Sequence, residues 1–234
     1  MTAVTAVTVD TTAMRLVLAS NNAKKLSELQ AMLADMNFKL VSQAELGIPE
    51  APEPHCTFME NGLAKARHAA AAANGPALAD DSGLCVLSLA CEPGVNSAQF
   101  ASVALPGAKR PKGGQDARRD AERETRRSLQ DAANNALLLQ RLHGAADRRA
   151  YFVSTLVAVR HAADPEPLIA VGRWPGELLT EPRGEQGFGY DPLMFIPELG
   201  QTVAEMSTEV KNAHSHRARA MAQMRALLAE VWQR

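Results

Sequence analysis

Apolar and polar positions follow one another in a pattern that predicts strands and helices in turn along the chain. The run RLVLAS, residues 15–20, is short and rich in strand formers, so it predicts a buried strand. FKLVSQ, residues 38–43, predicts a second strand. Between them, apolar residues at helical spacing predict a helix that follows the polar turn SNNAKK. These residues are Leu26, Leu29, Leu33 and Met36.

A helix start and an acidic stretch come next. Thr57 and Glu60 have the spacing of a capping box, which predicts a helix from residue 58 to about residue 73 and favours a capping role for Glu60 over a catalytic one. The stretch ALADDSGLC then sets Asp80 and Asp81 side by side after a short apolar run. We expect a turn at the two acids and a buried strand, LCVLSL, after it.

The C-terminal half combines hairpin signals with a last helix. YFVSTLVAVR and PLIAVGRW predict an antiparallel pair of strands, and GEQGFGYDP predicts a glycine-rich loop. HSHRARAMAQMRALLAEVW predicts an amphipathic helix capped by Ser215. The chain is therefore predicted to have an α/β fold with a mixed central sheet flanked by helices. We expect a single domain over residues 15–234, preceded by a disordered lead at residues 1–14.

Composition limits the class of protein to which the chain can belong. It has 234 residues, 46% of them hydrophobic, and a formal net charge of −1, so neither a nucleic-acid partner nor a membrane is expected. No apolar stretch approaches the roughly 20 residues that span a bilayer, and the N-terminus lacks the pattern of a signal peptide. Cys56, Cys85 and Cys91 are odd in number and lack CxxC spacing, which argues against a disulfide framework or zinc site and favours the cytoplasm.

A run of mixed charge, with more basic than acidic residues, extends over about residues 109–127. It has two interpretations, an arm that binds nucleic acid or a solvated helix with a flexible lead. No aromatic residue interrupts the charges to stack on bases, which favours the solvated helix. The run is treated as a charged insertion within the domain.

Three groups of residues could carry chemistry. In SNNAKK, small polar residues at a helix start, with Lys24 and Lys25, would bind an anion, although an Asn-capped surface helix fits equally well. Glu53, Asp80 and Asp81 could converge on a divalent cation such as Mg²⁺, and one acid could take a proton from water; solvated turn acids are the alternative.

The third group combines the loop GFGYDP with the segment KNAHSHR. Its glycines let the backbone approach a flat ligand while Phe188 offers a stacking surface, and Lys211, His216 and Arg217 supply hydrogen-bond donors. An ordinary turn and a structural histidine are the alternatives. Taken together, the three groups suggest a site for a nucleotide and its metal ion: an anion site, an acid pair and an aromatic loop with hydrogen-bond donors.

The order of these motifs resembles the inosine triphosphate pyrophosphatase family over about residues 15–232. The matching segments are LASNNAKKLSEL, TFMENGLAKARHAA, ADDSGLCVLSL, PGVNSAQFA, GFGYDPLMFIP and KNAHSHRARA. The resemblance implies an elongated two-lobed fold around a nucleotide cleft, a homodimer, and Mg²⁺-dependent hydrolysis of ITP, dITP and XTP to the monophosphate and pyrophosphate. Ser20-Asn21, Gln99 and the length of the charged insertion depart from the usual family pattern.

The resemblance also implies roles for individual residues. Asp81 would be the proton acceptor for the attacking water, and Glu53 and Asp81 would bind Mg²⁺. Asn22, Lys25 and Lys65 would contact the phosphates. The implied substrate-binding residues are Ser20, Asn21, Asn22, Ala23, Lys24, Lys25, Lys65 and Ser82, with Phe188, Gly189, Tyr190, Asp191, Lys211, His216 and Arg217 around the base. Two alternative functions remain. The protein could be a pyrophosphatase for other modified nucleotides, or it could bind a nucleotide or nucleic acid without catalysis.

Overall fold

The computed structural model describes residues 13–102 and 116–232, with side chains in the second range from residue 124 onward. Residues 1–12 of the predicted lead and residues 109–115 of the charged insertion lie outside this part of the chain. Met14 corrects the predicted boundary of the lead, because it is the first residue of the first strand.

Strands and helices follow in nearly the predicted order. The described elements are β1 (Met14–Leu18), α1 (Ala23–Leu33), β2 (Phe38–Ser42), α2 (Phe58–Ala73), β3 (Ala77–Val86), α3 (Asp116–Arg141), β4 (Arg149–Val159), β5 (Leu168–Leu178), β6 (Met194–Ile196), β7 (Gln201–Thr202), α4 (Thr208–His214) and α5 (His216–Val231). The predicted caps of two helices are confirmed, since Thr57 accepts from the Glu60 N–H and Ser215 from the Ala218 N–H. No helix among these elements is long and apolar enough to cross a membrane.

The strands form one open, mixed sheet in the order β2-β1-β3-β4-β5-β6-β7. β1 pairs in parallel with β2 and β3, and every later pair, from β3–β4 to β6–β7, is antiparallel. This confirms the predicted mixed α/β sheet and the predicted hairpin of β4 and β5. The short strands β6 and β7 and the short helix α4 are not apparent in the hydrophobic pattern.

Apolar clusters cover both faces of the sheet. One cluster lies between the sheet and helices α1 and α5, and includes Leu16 and Met221. A second, built largely of alanines such as Ala66 and Ala79, lies against α2. A third surrounds Trp174 in the half of the sheet that packs against α3. Strand β3 passes between the first two clusters, so its consecutive side chains enter different layers of the protein.

The prediction of a turn at the two acids is wrong. Asp80 and Asp81 lie in the middle of β3, opposite Leu156 and Thr155 of β4. Adjacent charges in a strand disfavour it locally, but here each carboxylate meets cations from other elements, on opposite sides of the sheet. These long-range partners stabilise a strand where the local sequence favours a turn.

Candidate active site

Asp81 faces α2 and forms an ion pair there. Its Oδ1 lies 2.5 Å from the Lys65 Nζ, and the same ammonium group lies 3.0 Å from the Glu53 Oε2. Helix α2 comes close to β3 and β4 because residue 62 is glycine; a Cβ at Gly62 would lie 3.0 Å from Val157 of β4 and 3.8 Å from the Asp81 Cβ of β3. Lys65 is one helical turn further along α2, so this close approach brings its side chain to Asp81.

The loop that carries Glu53 is fastened to α2 by the buried Asn61. The Asn61 Oδ1 accepts from the His55 N–H at 3.0 Å, and its Nδ2 donates to the His55 carbonyl at 3.1 Å. Two hydrogen bonds to one residue fix the end of the loop against the helix. The predicted pair of Glu53 and Asp81 is thereby brought to one place, with Lys65 between them.

The pKa of Asp81 is raised to about 6, because burial disfavours its charge more strongly than Lys65 and Lys25 favour it. The pKa of Lys65 is also raised, since the carboxylates of Asp81 and Glu53 outweigh its own burial. In the described part of the chain the second oxygen of Asp81, Oδ2, is buried without a hydrogen-bond partner. Asp81 therefore has an acceptor atom and a pKa close to neutral available for chemistry.

Asp80 faces the opposite side of the sheet and is fully engaged. Its Oδ2 lies 2.8 Å from the Arg217 Nε and 3.3 Å from the Lys25 Nζ, and its Oδ1 accepts from the Ser154 hydroxyl at 2.8 Å. Burial alone would raise the pKa of Asp80, but Arg217 and Lys25 hold it well below its usual range. Asp80 is thus neutralised by cations of the protein itself, and the expectation that a metal neutralises both acids is corrected.

The turn before α1 has the geometry of an anion-binding helix start. The Asn22 Oδ1 accepts from the backbone N–H groups of Lys24 and Lys25, and the Ser20 hydroxyl accepts from the N–H of Asn22. The first turn of α1 contains no acid. Lys25 turns inward to Asp80, and burial lowers the pKa of Lys25 despite that partner. The predicted phosphate turn is therefore adjacent to the acid pair.

The predicted base loop is held by charged and polar groups. The Lys211 Nζ lies 2.8 Å from the Asp191 Oδ2 and 4.7 Å from the centre of the Phe188 ring. The Asp191 Oδ2 also accepts from the Phe188 N–H at 2.9 Å. Gly187, at φ +80°, leaves room for that carboxylate, because a Cβ there would lie 2.1 Å from it. The aromatic ring is thus fixed beside two amines, the second being that of Lys24 at 5.8 Å.

A cavity of about 310 Å³ opens beside this ring. Its walls include Lys24 and Glu28 of α1, Phe188, and Lys211 of α4. A larger open groove of about 830 Å³ lies at the far end of α5, beside Trp232. The smaller cavity is the better candidate site, because the buried charges of β3, α1 and α5 converge next to it.

Three residues predicted to bind the substrate are almost fully buried: Tyr190, His216 and Arg217. The guanidinium of Arg217 bonds to Asp80, to Glu28 and, at 3.3 Å, to the Ser82 hydroxyl. The Tyr190 hydroxyl donates to the Ser97 carbonyl at 2.9 Å in the core. His216 packs on Phe152. Its pKa is well below the usual value, mainly because the ring is buried and also because the Arg217 charge is near, so the ring is neutral.

The sequence model of the Ham1 family matches residues 16–227, nearly the whole described chain. The chain belongs to the Ham1 family. It is 62% identical, over 94% of its own length and 99% of the relative's, to the dITP/XTP pyrophosphatase of Methylibium petroleiphilum. It is 59% identical, over the same shares, to the protein of that name from Leptothrix cholodnii.

Solved structures of Ham1 proteins have the same fold. The HAM1 protein of Coxiella burnetii superposes with a TM-score of 0.76 at 38% identity, covering 93% of this chain and 100% of that one. The Ham1 protein of Staphylococcus aureus superposes with a TM-score of 0.73 at 32% identity, covering 92% and 98%. The resemblance to this pyrophosphatase family and the predicted fold class are both confirmed.

Glu28 and Ser154 belong to this Ham1 site but are absent from the predicted set. Glu28 of α1 joins Lys211, whose Nζ lies 3.4 Å away, to Arg217, and so ties α4 and α5 to α1. Ser154 of β4 supplies a hydroxyl to Asp80 from within the sheet. Glu28 follows Lys25 by three residues, so helical spacing was the one available signal that both belong to the same face. Ser154 has no sequence signal, because only the pairing of β3 with β4 reveals it.

Glu53 and Asp81 suit a hard divalent cation whose remaining ligands come from water and the substrate. The described residues contain no group of three or more His, Cys, Asp or Glu able to enclose a metal ion. Mg²⁺ commonly takes only one or two protein carboxylates and completes its shell with water and phosphate oxygens. The unpartnered Asp81 Oδ2 and the half-exposed Glu53 carboxylate fit that pattern.

Proposed function

We propose that this Ham1 protein is a nucleoside-triphosphate pyrophosphatase that hydrolyses ITP, dITP and XTP to the monophosphate and pyrophosphate. Its relatives at 62% and 59% identity bear the name dITP/XTP pyrophosphatase. The observation that carries the proposal is Asp81, a buried carboxylate with a free oxygen and a pKa raised to about 6, beside the phosphate turn. A group with these properties can accept a proton from water near neutral pH.

The chain's own cations would hold the phosphates. The start of α1, which has no acid in its first turn, would attract the phosphates with the positive end of the helix dipole. Lys25 pairs with Asp80 and Lys65 with Asp81 on opposite sides of β3, and both amines would contact the phosphates. Glu53 and Asp81 would hold Mg²⁺, which when bound supplies further neutralisation of phosphate charge. Asp81 would take the proton of the attacking water.

The base would lie in the cavity beside Phe188. The ring offers a stacking face, and Lys24 and Lys211 keep positive charge near it. His216 is neutral and retains a ring nitrogen, Nδ1, without a partner in the described structure. We propose that this Nδ1 carries the ring proton and donates a hydrogen bond to the 6-oxo group of the base. For Arg217 we propose a positioning role, since Asp80, Glu28 and Ser82 already engage its guanidinium.

A substrate panel tests the proposal. ITP, dITP and XTP are compared with ATP, GTP and modified pyrimidine triphosphates, with Mg²⁺ present, and pyrophosphate and phosphate are measured separately. We expect pyrophosphate from the first three and a much lower kcat/KM for ATP, because a site that bonds a 6-oxo acceptor rejects an amino group. Absence of activity on ITP, dITP and XTP would refute the proposal; preference for a pyrimidine would indicate a related enzyme.

We also propose that the enzyme is a cytoplasmic homodimer. The cysteine pattern supports the location, and the family resemblance supports the dimer. Light scattering on the purified full chain measures the mass directly. A mass of 25.1 kDa, that of one chain, would contradict the dimer.

A further inference from the structure

One polar face of α3 contacts both halves of the candidate site. Its members are spaced by three or four residues, so they lie in one row along the helix. The first two contact the start of α1, and the last two bond to the backbone of Gly189 in the base loop. These four residues, called the α3 face, are Glu124, Arg127, Asp131 and Asn135.

Arg127 is the member of the α3 face that reaches the phosphate turn itself. Its Nη1 lies 3.4 Å from the Asn22 Oδ1. That oxygen already accepts from the N–H groups of Lys24 at 3.0 Å and Lys25 at 3.3 Å. An amide oxygen has two lone pairs, so the third and longest contact is the weakest of the three. The guanidinium can therefore leave Asn22 for a stronger acceptor at the same helix start.

Among the side chains that the structure describes, the carboxylates near Arg127 engage other groups more closely than they engage the guanidinium. Glu124 lies 3.8 Å from Arg127 but 3.0 Å from the Lys24 ammonium. Asp131, the next acid on the α3 face, accepts from the Gly189 N–H at 2.8 Å. Lys25 and Lys65, by contrast, are each paired directly with an acid of β3.

Exposure and geometry suit Arg127 to an incoming anion. About a third of its side chain, 34%, is exposed, whereas 15% of the Lys25 side chain is. A guanidinium presents a planar fork of donors that matches two phosphate oxygens at once. Its hydration is weaker than that of an ammonium group, which favours such an exchange of partners.

We propose that Arg127 binds the phosphate chain of the substrate, exchanging its contact with Asn22 for phosphate oxygens. The inference rests on the proposed function, because it assumes that the turn before α1 receives a triphosphate. It gives a role to the end of the charged insertion, which the other motifs left without one. The α3 face then links the two halves of the site, with Arg127 on the phosphates and Asp131 and Asn135 on the base loop.

Two measurements on the full chain test this inference. The first is the dissociation constant of inorganic triphosphate, by calorimetry without added metal, so that it depends neither on the base nor on catalysis. The second is steady-state hydrolysis of ITP with Mg²⁺. The variants are Arg127→Ala and Arg127→Lys. Arg141→Ala is the matched control, since Arg141 is on the same helix but pairs with Glu92 on the surface.

We expect Arg127→Ala to weaken triphosphate binding and to lower kcat/KM for ITP by about tenfold to a hundredfold, the range for a lost charge-assisted hydrogen bond. Most of the change should appear in KM. Arg127→Lys should recover part of the binding, because the charge remains while the fork is lost. Arg141→Ala should match the wild type in both measurements.

Unchanged triphosphate binding in Arg127→Ala would overturn the inference. An equal loss in Arg127→Ala and Arg141→Ala would also overturn it, because a general effect of charge would then explain the result. If the wild type bound triphosphate through Arg127 but hydrolysed no purine triphosphate, the proposed function would fail while the assignment of Arg127 stood. The two proposals can thus fail separately.

Discussion

Asp80 and Asp81 are neighbours on β3, yet they occupy opposite environments. Asp80 points toward α1 and α5, where Arg217, Lys25 and Ser154 satisfy both of its oxygens. Asp81 points toward α2, where Lys65 engages one oxygen and the other has no partner in the described structure. The two-residue period of a strand separates them. A carboxylate with every oxygen satisfied organises structure, whereas one with a free oxygen and a raised pKa is available for reaction.

The contrast changes the meaning of the acid pair. From the sequence we expect loss of Asp81 to abolish chemistry and loss of Asp80 to be milder. The structure indicates that the two losses should change different properties of the protein. Asp80 balances two buried cations, so its loss should act on stability, whereas loss of Asp81 should act on the rate. Measuring both quantities for both variants tests the comparison directly.

The largest effect is expected from Asp80→Asn. The substitution leaves Arg217 and Lys25 buried with less negative charge, and breaking a buried ion pair from one side typically removes about 3–5 kcal/mol of the free energy of unfolding. Urea unfolding at neutral pH measures the change. Asp147→Asn is the control, because Asp147 pairs with Arg149 at the surface and should matter little. Equal losses in the two variants would contradict the role given to Asp80.

The next effect is that of Asp81→Asn on the rate. The amide keeps the shape of the side chain but removes a proton acceptor and a negative charge, so kcat for ITP should fall at least about a hundredfold. The free energy of unfolding should change less than in Asp80→Asn, because Lys65 keeps Glu53 as a partner.

Glu53→Gln provides the matched comparison for Asp81→Asn. It removes the other predicted Mg²⁺ ligand without removing the proposed base, so the Mg²⁺ concentration for half-maximal rate should rise while a measurable rate remains at saturation. Near-normal rates for Asp81→Asn would show that the base lies elsewhere.

Local signals predicted the parts of the fold that depend on neighbours in sequence. Helix α2 begins at residue 58 and ends at residue 73 as predicted, because its cap and its alanine-rich length are local properties. Ser215 and the strands β4 and β5 are confirmed for the same reason.

Features that depend on distant partners could not be predicted in this way. The local sequence predicts a turn at the β3 acids. It does not show that their compensating charges lie as far along the chain as Arg217. A charged residue on a helix is ordinarily exposed, yet Arg217 is 1% exposed, which only the meeting of α5 with β3 explains. The lengths of β6 and β7, three and two residues, are too short for a period to be recognised.

The smallest expected effect is a change of about tenfold in kcat/KM with pH. It follows because the pKa of Asp80 is lowered whereas that of Asp81 is raised. Asp80 remains ionised throughout the working range, so of these two acids it is Asp81, with its pKa raised to about 6, that should titrate there. A base must be deprotonated to act, so kcat/KM for ITP should rise with pH through about 6 and be roughly tenfold lower at pH 5 than on the plateau.

Mg²⁺ sharpens this last prediction. A cation bound to Asp81 favours its charged form, so raising the Mg²⁺ concentration should move the acid limb of the profile to lower pH. His216→Gln should keep the limb, because the pKa of His216 is already well below its usual value. The residual activity of Asp81→Asn should lack it. A limb that persisted in Asp81→Asn would assign the titration to another group and remove the functional difference between the two faces of β3.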